Sequence, residues 1–521
     1  MKMTATFATK IHEDPDPVDA ANKPDGSGAV LRPFRVCHLT VLATAFCALV
    51  FYAHYAIRGN MASALFKPPV TISSSSLPLL SSTSTIDPSL QPEKPATNRS
   101  AAAPASESDH CDGRYIYMYD MPPRFNDDLV RHCGKGELHP WLDMCPYVAN
   151  DGMGEPLGDE GGVFPGHGWY ATDQFTLDLI FHSRMKRSYE CLTNDTTLAA
   201  AVFVPFYAGL DAGRFLYNHS TSIRDKLQLE FIDWLVNRPE WRAMGGRDHF
   251  LVAGRTTWDF RREADVDALW GTKLLTHPAV KNMTAFVLEK SPSSRNNFAI
   301  PYPTYFHPEA AADVVAWQQK VREIPRRWLF SFAGAPRPGS NKTVRAELIR
   351  QCGASSLCNL FHCGGKDGDG AADCNSPGGV MRVFEGSDFC LQPRGDTATR
   401  RSTFDALLAG CVPVFFHRDS AYTQYALHFP RDHARYSVLI PHAGVAAGRV
   451  SIEERLGRIP AEEVRRMREA VIRLIPRVVY ADPRAGRAGF NDAFDVAVEA
   501  IIDRVAKRRC GEDEVTAGTT E

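Results

Sequence analysis

The stretch FCLQPRGDTATRRSTFDALLAGCVPVFF, from Phe389 to Phe416, gathers side chains suited to holding an anion. Arg394, Arg400 and Arg401 surround a Gly-Asp-Thr turn that leads into a short amphipathic helix. A guanidinium offers planar paired donors that match phosphate oxygens. Thr399 or Ser402 is placed to cap that helix, whose free N–H groups and positive dipole end would then face the same anion. A second group, Arg337 in Gly334-Ala335-Pro336-Arg337 and Arg345 on the next helix, adds further donors, and the set fits a diphosphate. The competing reading pairs one arginine with Asp396 or Asp405 and leaves the other in water. Asp405 lies four residues after Arg401, on the same helix face. It and Asp396 are candidates to accept hydrogen bonds from ribose or sugar hydroxyls, although for Asp405 the spacing itself favours an intrahelical ion pair.

These loops need strands behind them. Apolar runs rich in aromatic and β-branched residues predict strands within Arg114–Met121, Ala199–Gly209 (with GLDAGR as a loop), Asp248–Phe260 and Ala285–Lys290. Helical patterns fall between them, at Thr172–Met185 and Ile223–Val236. A second series follows: strands within Arg326–Gly339, Val383–Gly395, Cys411–Phe416 and Tyr436–Pro441, and helices at Val344–Cys352, Ser402–Gly410, Ala461–Ile475 and Ala493–Lys507. Gly410 closes its helix as a C′ residue. Such alternation implies α/β units with parallel, doubly wound sheets, here two domains over 111–310 and 320–508. Open sheets of this type bind ligands at the carboxyl ends of their strands, which is where the arginine loops fall. No internal repeat is visible in the sequence.

Other segments bound the setting. The formal net charge of −2 over 521 residues gives no case for nucleic acid as a partner. Val36 to Ile57 is mostly apolar with no Lys, Arg, Asp or Glu, and a bilayer span needs about 20 such residues. It reads as a transmembrane signal-anchor over 36–57, with 1–35 a cytosolic tail and the bulk of the chain lumenal. Residues 58–110, rich in Ser, Pro and Thr, read as a disordered stem, and 509–521 as a disordered tail. Of the 13 cysteines, all but Cys37 and Cys47 follow the anchor. Cys352, Cys358, Cys363 and Cys374 cluster without a Cys-x-x-Cys pair, which favours disulfides over zinc. The odd number, eleven, leaves at least one thiol free or paired between chains, and Cys411, in an apolar strand, is the candidate for a buried free thiol. Asn98, Asn194, Asn218, Asn282 and Asn341 head glycosylation sequons on the lumenal side.

The strip FCLQPRGDTATRRSTFDALLAGCVPVFFHRDSAY, with YIYMYDMPPRFN, HGWYATDQFTLDLIFHSRM, AVFVPFYAGLD, DHFLVAGRTTWDFRR and LFSFAGAPRPG, resembles the plant exostosin-type glycosyltransferases of family 47, above all those acting as xyloglucan galactosyltransferases. The resemblance spans nearly all of 111–505. The family often has Pro where this chain has Arg394. It implies a GT-B fold of two facing Rossmann-like domains, an inverting mechanism, UDP-galactose as donor and xyloglucan as acceptor. It also implies residence at the Golgi membrane, other Golgi glycosyltransferases as partners, and no cofactor or catalytic metal. Asp14–Asp16, Asp265–Asp267 (in an expected helix) and Asp367–Asp369 are the Asp-x-Asp pairs, and none follows an apolar strand as a metal-diphosphate motif should. On that mechanism Arg337, Arg345, Arg400 and Arg401 stabilise the leaving diphosphate. The first domain supplies the general base, with Asp173, Asp211, Asp259 and His167 as candidates. Trp169, Tyr170, Phe206, Tyr207 and Trp258 are candidates to stack on sugars, against core packing as the ordinary alternative. Sister activities with arabinose or galacturonic acid donors, and a catalytically inactive Golgi partner protein, remain the alternatives.

Overall fold

The computed structural model describes residues 109–335, 343–363 and 376–512, which lie in one compact unit from Ser106 to Glu521. The expected cytosolic tail, anchor and stem as far as residue 108 lie outside the described residues, as does the C-terminal tail beyond residue 512, while Arg509, expected in that tail, ends the last helix. Arg337, Asn98, Asn341, Cys374, Asp14–Asp16 and Asp367–Asp369 also lie outside the described residues. Among the described residues no helix is long and apolar enough to cross a membrane.

The first lobe is built on β1 (Ile116–Met118), β2 (Leu192–Thr193), β3 (Ala201–Phe203), β4 (His249–Thr256), β5 (Thr284–Glu289) and β6 (Asn297–Ala299), in the order β2-β1-β3-β4-β5-β6. The second is built on β7 (Trp328–Gly334), β8 (Cys358–His362), β9 (Ser387–Gln392), β10 (Val412–Phe415) and β11 (Val438–Leu439), in the order β11-β10-β9-β7-β8. Every named pairing is parallel. Counted from its own first strand, each sheet follows the same doubly wound order, with strand direction of travel reversing between β1 and β3 and between β7 and β9. Ligands bind at such switch points, outside the carboxyl ends of the strands. The loops after β7 and β9 are the two arginine loops. The repeat absent from the sequence is therefore present in the topology.

The longer helices are α1 (Leu177–Ser188), α2 (Ala208–Phe215), α3 (Thr221–Val236), α4 (Ala311–Glu323), α5 (Val344–Ala354), α6 (Pro377–Glu385), α7 (Ser402–Leu408), α8 (Ala461–Leu474) and α9 (Ala493–Arg509). Three differ from the sequence reading. GLDAGR is helical in α2, because Gly209 is there for close packing and not as a breaker: a Cβ would sit 2.9 Å from Asp178 Oδ2 and 3.1 Å from Gly254 N. The first helix begins at Leu177, five residues later than expected, since Asp173 turns the chain by accepting from Phe175 N at 2.8 Å. Residues Asp265 and Asp267 lie in a loop, not a helix. Asp265 pairs with Arg262 and Lys273 at 3.0 and 2.9 Å, and Asp267 accepts from Thr221 N at 2.7 Å.

The last helix also departs from the two-domain division. α9 returns to the first lobe, where Phe494 packs 4.7 Å from Phe181. Its capping residue Asp492 is buried and takes an ion pair from Arg184 at 3.1 Å. A hydroxyl from each of Tyr425 and Tyr480 then ties the lobes, donating to Leu288 O at 2.9 Å and Pro301 O at 2.7 Å.

Disulfides join Cys111–Cys191, Cys133–Cys145, Cys352–Cys358 and Cys390–Cys411, and Cys363 is bonded to a cysteine outside the described residues. This corrects the expectation for Cys411. Its apolar surroundings hold a cross-link between β9 and the entry to β10, and among the described residues the free thiol is the exposed Cys510. Gly410 does close α7, at a φ of 64° that a glycine adopts freely.

Candidate active site

The chain after β9 is held from across the cleft. Glu289, the last residue of β5, accepts from Thr399 N at 2.6 Å and from Thr399 Oγ1 at 2.8 Å. The Tyr302 hydroxyl lies 3.0 Å from the same Oγ1. Ser402 Oγ is bound to Gln392 Oε1 at 2.6 Å. Neither Thr399 nor Ser402 therefore caps α7. Its cap position is Arg401, with no side-chain bond. A carboxylate from the first lobe thus fixes the loop that carries the arginines of the second.

Arg401 is the centre of the site. Its guanidinium carbon stands 3.9 Å over the Tyr305 ring. Nη1 donates to the Thr172 carbonyl, and Nε is 3.7 Å from Asp405 Oδ2. The side chain is only 14% exposed, yet Nε and Nη2 have no hydrogen-bond partner. A buried cation with open donors is costly unless something anionic meets it. Burial works against the Arg401 charge, but Tyr305, Asp405 and Asp173 offset it and raise its pKa overall. Asp405 is pushed up to about 6 by burial, with Arg401 pulling the other way. The intrahelical pair that the spacing favoured is formed, and Asp405 is buried with it. Asp396, by contrast, is exposed on the loop.

The other arginines gather around that loop. Arg345 reaches Ala335 O at 3.5 Å and Arg394 O at 3.4 Å, bridging the loops after β7 and β9. Arg400 lies along its own loop, with Nη1 3.5 Å from Pro393 O. Arg394 is exposed beside them.

Of the four first-lobe groups, two join this site. Asp173 is half-buried, one residue beyond the carbonyl that Arg401 binds, and its Oδ1 takes the Phe175 N–H. Asp259 accepts from Trp270 Nε1 at 2.8 Å and lies 3.5 Å from Arg255 Nη1. Asp211 sits inside α2, not in a loop. It is 1% exposed, and burial pushes it up to about 7. His167 faces Asp313 and Glu309 at 3.4 and 4.0 Å, against the start of α4. Trp169, Tyr170, Phe206 and Tyr207 are core residues, and Trp258 alone of the five is exposed.

Sequence reasoning missed Glu289, Tyr302, Tyr305 and Arg255. Arg255, at the carboxyl end of β4, lies 4.0 Å over the Phe175 ring and donates to Gly209 O at 2.7 Å. Beneath it the buried Asp178 accepts from the Gly209 and Gly254 N–H groups, and burial pushes its pKa up to about 7. Position was the available signal, since Glu289 is the last residue of β5 and Arg255 the last but one of β4, each after an apolar run.

Residues 110–456 match the model of the exostosin GT47 domain. The chain belongs to the exostosin GT47 family. It is a glycosyltransferase, and the matched span takes in all eleven strands described above. A relative from Arabidopsis thaliana, "Xyloglucan galactosyltransferase MUR3", is 46% identical over 91% of this chain and 83% of its own length. "Probable xyloglucan galactosyltransferase GT12", from the same plant, is 46% identical over 77% of this chain and 78% of its own. The "Xyloglucan-specific galacturonosyltransferase 1" of Arabidopsis thaliana is 41% identical over 76% of this chain and 58% of its own. In this exostosin GT47 chain Arg401, Asp405, Thr399 and Thr172 fall in the stretches that resemble the family, while Glu289, Tyr302 and Tyr305, which hold them, lie outside those stretches.

Proposed function

We propose that this chain transfers galactose from UDP-galactose, with inversion, to xylosyl side chains of xyloglucan. The two relatives named for xyloglucan galactosyl transfer support the substrates, and Arg401 carries the chemistry. Its open nitrogens lie where the loop after β9 meets the first lobe, at the switch point of the second sheet. The paired sheets fit a GT-B arrangement.

In the transfer, the acceptor hydroxyl attacks the anomeric carbon from the face opposite UDP. The bond from that carbon to the diphosphate oxygen breaks, and the hydroxyl proton passes to a carboxylate. Asp173 suits that base, being half-buried in the cleft with one oxygen committed to Phe175 N. Arg401 and Arg400, with Arg345 behind them, meet the charge growing on the β-phosphate, in place of a metal ion. Asp396 is the accessible carboxylate for ribose or sugar hydroxyls, Asp405 the internal partner of Arg401. The chain is anchored in the Golgi membrane by residues 36–57 with its catalytic body in the lumen. Asn194 and Asn218 are exposed, as a glycan requires. Asn282 is exposed too, with its side-chain nitrogen donated to Gly245 O at 3.1 Å.

One observation favours a second donor. Arg394 puts an exposed cation beside the arginine loop, and a uronic acid carries the matching carboxylate. The test is a transfer assay with UDP-galactose, UDP-galacturonic acid and UDP-arabinose, xyloglucan oligosaccharides as acceptor, and EDTA throughout. Product from UDP-galactose, unaffected by EDTA, is expected. Product from UDP-galacturonic acid alone would move the reading to that donor. No product from any donor, with UDP still bound, would leave an inactive partner protein.

A further inference from the structure

Among the described residues, the large exposed apolar side chains include three aromatic ones: Trp141, Tyr217 and Trp258. All belong to connections of the first lobe that follow strands of its sheet. Trp141 is 57% and Tyr217 37% exposed, yet they are not isolated. Their ring centres are 4.7 Å apart. Tyr217 is in turn 5.0 Å from Trp270, edge to face, and Trp141 is 5.0 Å from His139. Two exposed rings flanked by the half-buried Trp270 and His139 make a contiguous aromatic row, which is unusual on a protein surface and marks something that covers it.

The row has a rigid base and a definite address. The Cys133–Cys145 disulfide closes the loop that carries Trp141, and Leu138 of that loop is buried in one apolar cluster with Tyr207 and Leu210. Trp270 spends its indole N–H on Asp259. His139 lies in the field of Arg255 and Asp173, and the Tyr217 hydroxyl in the fields of Arg255, Asp259 and, from the opposite lobe, Asp396. The rings therefore run outward from the carboxylates of the first lobe. They are uncharged side chains, tilted against one another by 53° between Trp141 and Tyr217 and 76° between Tyr217 and Trp270.

We propose that Trp141, Tyr217 and Trp270 form a stacking platform for the neutral β-glucan backbone of the acceptor. This rests on the transferase reading above. Each equatorially substituted pyranose has a flat C–H face that packs on a ring, while its hydroxyls stay in water. A row of rings engages successive residues, so the backbone is gripped outside the reaction centre and its side chain is turned toward Asp173. A charged or strongly bent chain gains little from such a surface. The platform thus selects for an extended neutral polysaccharide, whichever sugar is transferred.

The test uses the full-length chain in detergent, with cellohexaose and a xyloglucan oligosaccharide as probes and UDP as control. Wild type, Trp141→Ala, Trp141→Phe and Tyr217→Ala are titrated by calorimetry. Both alanine changes are expected to weaken both oligosaccharides about tenfold, as for an aromatic anchor at a binding surface. Trp141→Phe should recover part of the loss, and UDP affinity should not change, which also shows that the variants are folded. Oligosaccharide affinity within about twofold of wild type in both alanine variants would overturn the platform. So would a shift in oligomeric state with sugar affinity intact, which would make the rings a contact between copies. If the oligosaccharides bind through the platform but no donor yields product, the transferase reading fails and the platform stands.

Discussion

Arg401→Ala removes the two open donors, the ring contact with Tyr305 and the bond to Thr172 O in one step. Its magnitude follows from what those nitrogens meet. A hydrogen bond to a charged group is worth about 1.5–3 kcal/mol, so UDP affinity should fall about 10–150-fold. Donors that meet charge in the transition state are worth more, and kcat should fall about 10²–10³-fold. The same change strands Asp405, which is buried and already pushed up to about 6. Without Arg401 its pKa rises further and it takes up a proton at neutral pH, at a stability cost of about 1–3 kcal/mol. The double variant Arg401→Ala/Asp405→Asn separates the effects: stability should return, affinity and kcat should not. Arg401→Lys should restore stability, since it keeps the charge, but not kcat, since one ammonium cannot reach Thr172, cover Tyr305 and bind phosphate together. Calorimetry with UDP, initial rates and urea melts read all three. UDP affinity within about twofold of wild type in Arg401→Ala, or full recovery of kcat in Arg401→Lys, would refute the phosphate role.

Glu289→Gln weakens the two bonds that hold Thr399, so the donor KM should rise with a stability loss of about 1–3 kcal/mol; an unchanged KM would free the loop after β9 from that restraint. Cys390→Ser/Cys411→Ser opens a cross-link of sequence separation 21 and should lower the unfolding free energy by about 3 kcal/mol, measured by urea melts of the oxidised chain. Asp173→Asn should remove kcat while leaving UDP affinity intact, and retained turnover would pass the base to Asp259. Stability should rise as pH falls from about 8 to about 6.5, because Asp178, Asp211 and Glu385, each pushed up to about 7 by burial, take up protons in the folded chain well before the unfolded one does. Below that, His182 and His307, held down to about 4, and His428, held down to about 3, oppose the rise, since the unfolded chain then binds more protons. Urea melts at three pH values test the sign, and a fall between pH 8 and 6.5 would contradict it.

The strands were legible because parallel strands buried on both faces read as continuous apolar runs, as in β4, β5 and β10. The short edge strands β2, β6 and β8 lack such runs and were not predicted, whereas β11 was legible within Tyr436–Pro441. The C-terminal α9 was legible as a helix but not as part of the first lobe, because nothing in its periodicity says which sheet it covers. Cys411 was misread for a related reason: an apolar strand looks the same whether its cysteine is free or bonded to Cys390. At the site, the arginine cluster was visible from residue types at short spacing. Its partners were not, since Glu289, Tyr305 and Thr172 come from distant segments and meet Arg401 and Thr399 only across the cleft. The ring row was hidden because an exposed tryptophan in a sequence is indistinguishable from a buried one.

The return of α9 to the first lobe bears on how the molecule is made. The sheet of that lobe is complete in the nascent chain once β6 has emerged, yet Phe494 and the Asp492 partner of Arg184 leave the ribosome only after the whole second lobe. Until then Phe181 has its first-lobe neighbours Phe203, Phe250 and Phe286 but not Phe494, and Arg184 lacks its counter-charge. The last element to emerge thus completes the first lobe, and the final helix acts as the closing stitch. A chain cut short before residue 493 would be left with its N-terminal half unsealed, so loss of the last few dozen residues damages the opposite end of the protein from the one that is missing.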